Sequence, residues 1–178
     1  SGLEATWGSG KPVIGFLGEY DALPGVSQQA TPEREELVPG AAGHACGHNL
    51  LGAGAFAAVI GLKQEMEARG LPGTIKYFGC PAEENFGGKA HMAREGVFSA
   101  CDACLTWHPS SLNTVRNAAS LAVTSMNVSF HGRSAHAAAD PFNGRSALDA
   151  VQLMNLGVEF LREHMQPQGR IHYVITNG

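Results

Sequence analysis

"GAAGHACGHNLLGAGAFAAVIGLKQEMEARGLPGTIKYFGCPAEEN", residues 40–85, decides the fold. From His48 to Arg69 the chain carries no proline, and small and apolar residues crowd its first half, which predicts a helix. Gly70 just past the end and Pro72 shortly beyond close that helix in the order that helix stops favour. The apolar run Leu50–Leu62 is too short to span a bilayer and reads as buried helix. Thr74–Cys80 then reads as a strand, ended by Pro81, so the stretch is a helix feeding a strand.

Outward from this core the alternation continues. Upstream, "KPVIGFLGEYDALPG" (residues 11–25) gives a short buried strand, Val13–Leu17, and an acidic turn closed by Pro24 and Gly25. Residues 26–43, polar with Pro32 and Pro39, read as a long loop. Downstream come a helix over Gly88–Glu95 and a strand over Ala103–Trp107. Strands alternating with helices imply an α/β domain on a mostly parallel sheet.

The composition changes near Ala119. "SLAVTSMNVSFHG" (120–132) predicts a long strand, a loop of small residues follows, and a helix runs from about Gly144 to Met165. In that helix Ala147, Val151, Met154, Val158, Leu161 and Met165 form an amphipathic stripe. "RIHYVIT" (170–176) predicts a last strand. The division is therefore a catalytic-type domain over 1–118 and the beginning of a second, α+β domain over 119–178. The chain opens on Ser1 and stops at "ITNG", which suggests a piece of a longer protein.

Bulk numbers narrow the class. Hydrophobic content of 44% with 16% charged residues supports a packed core over 178 residues. A net charge of −4 and a pI near 6.0 exclude a basic nucleic-acid surface, and no Lys/Arg run offers a membrane patch. Four cysteines at 46, 80, 101 and 104 are too sparse for a disulfide scaffold, which points to a reducing compartment such as the cytoplasm.

In an open parallel sheet, ligands collect beyond the carboxyl ends of the strands. Asp21 follows the first strand, Glu83 and Glu84 the second, and His108 the third, while Cys46 and His48 sit in the loop feeding the first long helix. Two residues apart in an extended segment face the same way, so Cys46 and His48 can reach one centre. Thiolate, imidazole and carboxylate together suit a transition metal such as zinc. Adjacent glutamates suggest that one binds metal while the other takes a proton. Taken singly, a Cys or His is as readily a packed core residue, and "AEE" a solvated turn. Several such residues at consecutive strand ends favour a site.

Other signals are weaker. "GAGAFA" (52–57) matches a dinucleotide fingerprint formally, but no strand precedes it, so close helix packing explains it better. "CDAC" (101–104) is a single CxxC at a strand start and reads as structural. His136, in the small-residue loop, is either a solvated histidine or a substrate contact carried by a lid.

In order, "GEYDALPG", "GHACGHNLLG", "CPAEE", "LTWHP" and "GRSAHAAADPFNGRSALDA" resemble the M20 family of metallopeptidases and amidohydrolases. The nearest likeness is to the branch of aminobenzoyl-glutamate hydrolase B subunits. The resemblance covers essentially the whole chain. It implies a zinc-peptidase-like α/β catalytic domain with an inserted α+β lid that also dimerises, as a homodimer or a heterodimer. It further implies two divalent metal ions, Zn or Mn, with Cys46, His48, Glu84 and His108 as ligands. Glu83 would be the general base, Asp21 would orient a ligand imidazole, and His136 would stabilise the tetrahedral intermediate. The implied reaction is hydrolysis of an amide bond in an N-acyl amino acid or dipeptide-like small molecule. A non-catalytic partner subunit that retains the fold is the alternative. Two departures stand out: Glu19 where many members carry His, and Asn49 where hippurate hydrolases carry Asp. The family's last histidine ligand is expected beyond Gly178.

Overall fold

A computed structural model describes residues 2–115 and 119–178. The chain divides into two compact units, Ser1–Thr114 and Val115–Gly178. The boundary expected after residue 118 falls on residues 116–118, outside the described residues.

The first unit is built on a four-stranded sheet. Its strands are β1 (Leu3–Ser9), β2 (Val13–Glu19), β3 (Gly73–Cys80) and β4 (Ala103–Leu105), in the order β1-β3-β2-β4. β2 runs parallel to both β3 and β4, and β1 is antiparallel to β3. The sheet is thus mostly parallel, as expected. Sequence reasoning passed over β1, whose one signal is the alternation of Leu3, Ala5 and Trp7 with Glu4 and Thr6. The helix α1 covers His48–Arg69, the range that its stop signals predict. Gly70 closes it in the left-handed conformation (φ 61°), its N–H bonding back to the last turn. Two short helices follow β3: α2 (Glu83–Phe86) and α3 (Gly88–Arg94).

Burial concentrates on β3 and the first turns of α1. Phe78 and Cys80 are 0% exposed, and Ile75, Leu51 and Ala55 nearly so. Side chains alternate across β3. Tyr77 turns to α1, its hydroxyl donating to the Gly52 carbonyl, while Phe78 meets Phe98 edge-on at 5.0 Å. The small residues of "GAGAFA" lie inside α1 and serve close packing. A Cβ on Gly52 would stand 2.8 Å from the Glu19 carbonyl oxygen. Trp107 Nε1 donates to the Leu51 carbonyl from the far side of the same turn. The helix is therefore seated against the carboxyl end of β2, where the acidic residues begin.

In the second unit, α4 covers Ala147–Arg162 and is capped by Ser146, whose Oγ accepts from the Asp149 N–H at 3.0 Å. The half-buried face carries Ala147, Val151, Met154 and Val158 of the expected stripe, while Leu161 is 52% exposed. The helix ends three residues before Met165. The strands expected over 120–132 and 170–176 do not form. A strand is held by a ladder, and these segments pair with nothing among the described residues beyond one bridge, Arg133 to Arg145. A pattern of alternating residues names a strand's faces but not its partner. No helix among the described residues is long and apolar enough to cross a membrane.

Candidate metal centre

The residues upstream of α1 reach the centre by a route that the sequence did not suggest. Residues 44–47 form a turn, the Gly47 N–H donating to the His44 carbonyl, rather than an extended segment. Gly47 is left-handed (φ 83°), and a Cβ there would stand 2.9 Å from Pro109 Cγ. Glycine alone meets both demands at ease, and the turn leaves Cys46 and His48 on either side of it. Cys46 Sγ lies 3.3 Å from His108 Nε2. The His48 and His108 rings stand edge to face, 6.0 Å between centroids.

His48, the first residue of α1, is 0% exposed. Its Nδ1 lies 3.0 Å from Asp21 Oδ1 and 3.2 Å from the Asp21 carbonyl, two acceptors that fix the ring proton on this nitrogen. Nε2 then carries a lone pair. Glu19 Oε2 is 2.9 Å from it, and one oxygen each of Glu83 and Glu84 is 3.9 Å away. Even so, no hydrogen bond reaches Nε2. The Glu19 contact is short but lacks the geometry of one, and geometry decides. Nε2 and Glu84 Oε1 are both buried without a hydrogen-bond partner. A buried polar atom left in this way costs about 1–3 kcal/mol unless something else satisfies it.

Glu83 and Glu84 owe their placement to a strained turn. Ala82 has φ 56°, unusual for a residue with a side chain. It turns the chain from β3 directly into α2, and the Gly88 N–H returns to the Ala82 carbonyl at 3.0 Å. Glu84 also donates its N–H to Asp21 Oδ2 at 3.0 Å, so one carboxylate ties together the ends of β2 and β3 and the start of α1. Burial would raise the Asp21 carboxyl, but hydrogen bonds from the Glu84 N–H, its own N–H and His48 outweigh it and hold it below the usual 3.8. The Cys46 thiol is pushed the other way. Burial raises it above its ordinary 9.0, and a hydrogen bond with Glu84 and the carboxylates of Glu84, Glu83 and Glu19 add to the rise. A thiol held protonated among carboxylates is one that a cation would convert to thiolate.

Two groups of donor atoms result, each lying within 4.8 Å: Cys46 with His48 and His108, and Glu19 with His48 and Glu83. The donor set and its two orphaned buried atoms fit a transition-metal cation. Of the expected residues, the structure thus brings together Asp21, Cys46, His48, Glu83, Glu84 and His108. His136 lies in the other unit, where its Nδ1 accepts from the Ala138 and Ala139 N–H groups. Sequence reasoning missed Glu19 and Lys89, an ion pair between the end of β2 and α3. Glu19 closes β2 as a strand residue, and Lys89 stands in an unremarkable polar helix. Nothing in the spacing joins them.

The comparisons with known proteins agree with this chemistry. The profile of peptidase family M20/M25/M40 matches residues 15–176. The B component of the two-part name p-aminobenzoyl-glutamate hydrolase, from Escherichia coli K12, is 52% identical over 175 residues, which is 98% of this chain and 36% of that protein. The Xaa-Arg dipeptidase of Mus musculus is 37% identical over 93% of this chain and 35% of its own length. The chain spans about a third of the length of these curated relatives. A crystal structure from methicillin-resistant Staphylococcus aureus, described as an aminohydrolase, shares the fold with a TM-score of 0.57 at 21% identity. That match covers 93% of this chain and 46% of the other. On the extent of the profile match, the chain belongs to peptidase family M20/M25/M40.

Proposed function

We propose that this chain contributes the cation-binding part of an amidohydrolase acting on an N-acyl amino acid or dipeptide-like substrate of the aminobenzoyl-glutamate kind. The observation that carries the reading is the buried, unpartnered Nε2 of His48, aimed among carboxylates and backed on Nδ1 by Asp21. Cys46, His48, Glu84 and His108 would hold a pair of divalent ions, zinc or manganese, and a last ligand comes from elsewhere in the protein. When bound, such ions supply Lewis acidity toward water and the amide carbonyl. Asp21 keeps the His48 proton on Nδ1 and the lone pair on Nε2. Glu83, with its side chain 41% exposed, can reach solvent. It takes the proton of the attacking water and passes it to the departing amine. In neutral His136 the accepting Nδ1 leaves the ring proton on Nε2, a donor suited to the oxyanion that develops on the carbonyl. The apolar depression of about 540 Å³ beside His48, walled by Leu3, Tyr20, Phe56 and Tyr77, suits an aromatic acyl group.

The second unit serves as the start of a lid and assembly domain. The likeness to a protein named as one component of a hydrolase supports a heteromeric partner. Four free cysteines support a reducing, cytoplasmic setting.

Glu83→Gln in the intact protein tests the chemistry. Turnover should fall about 10²–10⁴-fold while cation content, read by elemental analysis, stays at the level of the unchanged protein. Normal turnover in that variant would remove Glu83 from proton transfer.

A further inference from the structure

Glu19 and Lys89 have no part in the scheme above, yet they adjoin its centre. Glu19 ends β2 with its side chain 9% exposed. Its Oε1 pairs with Lys89 Nζ, and its Oε2 stands 2.9 Å from His48 Nε2 without a hydrogen bond. Lys89 reaches in from the first turn of α3, with its side chain 27% exposed. α1 is packed close on the other side, at Gly52 against the Glu19 carbonyl. By distance alone Glu19 qualifies as a ligand, since it forms a donor group with His48 and Glu83. By charge it is already satisfied, because a buried carboxylate paired to an ammonium has surrendered much of its attraction for a second cation.

We propose that Lys89 is a positioning residue that withholds Glu19 from the cation's coordination shell. The position that Glu19 would otherwise fill then stays open, as a hydrolytic site requires for water and substrate. The inference rests on the metal-centre reading given above. It adds that the pair is a neutral unit beside the shell, and that the lysine decides whether the nearest carboxylate coordinates.

The test uses the intact protein freed of metal and titrated with cobalt(II), whose visible absorption weakens as ligands are added. Affinity and spectrum are followed in Lys89→Met, in Lys89→Arg and in the charge-balanced double variant Glu19→Gln/Lys89→Met. Freed from its ammonium, Glu19 should coordinate: Lys89→Met should bind cobalt about tenfold or more tightly, with a weaker visible band. Lys89→Arg should restore both readouts. The double variant removes the pair without changing net charge, so it should bind within about threefold of the unchanged protein.

Unchanged or weaker binding in Lys89→Met would overturn the proposal. So would a tenfold or greater loss in the double variant, which would make Glu19 a ligand in the native site. The double variant buries no lone charge, so it decides the matter even if Lys89→Met fails to fold. Failure of the unchanged protein to bind cobalt would be a different result, removing the metal centre itself and this refinement with it.

Discussion

Asp21 does more than any ligand to shape the centre, although it need not touch a cation. Its two oxygens accept from His48 and from the Glu84 backbone, so a single carboxylate sets one tautomer and one strand end. Asp21→Asn keeps the shape but offers a donor where an acceptor is needed. Cation affinity should fall about 10–100-fold, measurable by competition with a chelating dye, and unchanged affinity would mean that His48 is oriented by something else. At this scale the sequence was legible where residue type implies chemistry: Cys46, His48, Glu84 and His108 are metal-ligand types at strand ends. Glu19 and Lys89 were not legible. Their meaning lies in an ion pair bridging 70 residues, which no local pattern encodes.

The elements show the same division. The range of α1 follows from Gly70 and Pro72, and β3 from its β-branched and aromatic run, because stop signals and composition are local. The strands expected over 120–132 and 170–176 failed because a ladder needs a partner that the pattern does not name. Packing of α1 on β2 yields a direct test. Gly52→Val places its Cβ about where the Glu19 carbonyl oxygen already stands, and should cost about 1–3 kcal/mol in urea denaturation. A neutral result would show that the helix seat is loose.

The joint between β2 and β4 adds a pH signature. Asp102 pairs with Lys11 at 2.7 Å and accepts from the Val13 N–H, and these bonds hold its carboxyl below 3.8. A depressed folded-state value means that the contribution is present above about pH 3.8 and is lost as pH falls through the lower, folded-state value. Asp102→Asn should therefore lower Tm at neutral pH, with the gap to the unchanged chain closing in acid. A gap that persists or widens on acidification would contradict this assignment.

At the scale of the molecule, the chain displays more large apolar side chains than a solitary domain tolerates. In the first unit Leu50 and Phe56 are exposed at 60% and 52%, and in the second Leu153, Phe160 and Val174 at 70%, 64% and 80%. Patches of this kind mark surfaces that are covered in use. The 178-residue chain on its own should bind a hydrophobic dye and associate on sizing columns, whereas a monodisperse, dye-free chain would contradict that reading.

The claim on which the account depends is that Cys46, His48, Glu84 and His108, drawn from three separate stretches, converge on a cation at the rim of one sheet. Anomalous diffraction from crystals of the intact protein grown with zinc or manganese tests it most directly. The predicted result is a scattering peak bonded to His48 Nε2 and Cys46 Sγ, with Glu84 and His108 completing its shell. Peaks confined to other residues, with Cys46 and Glu84 bonded only to each other, would contradict it.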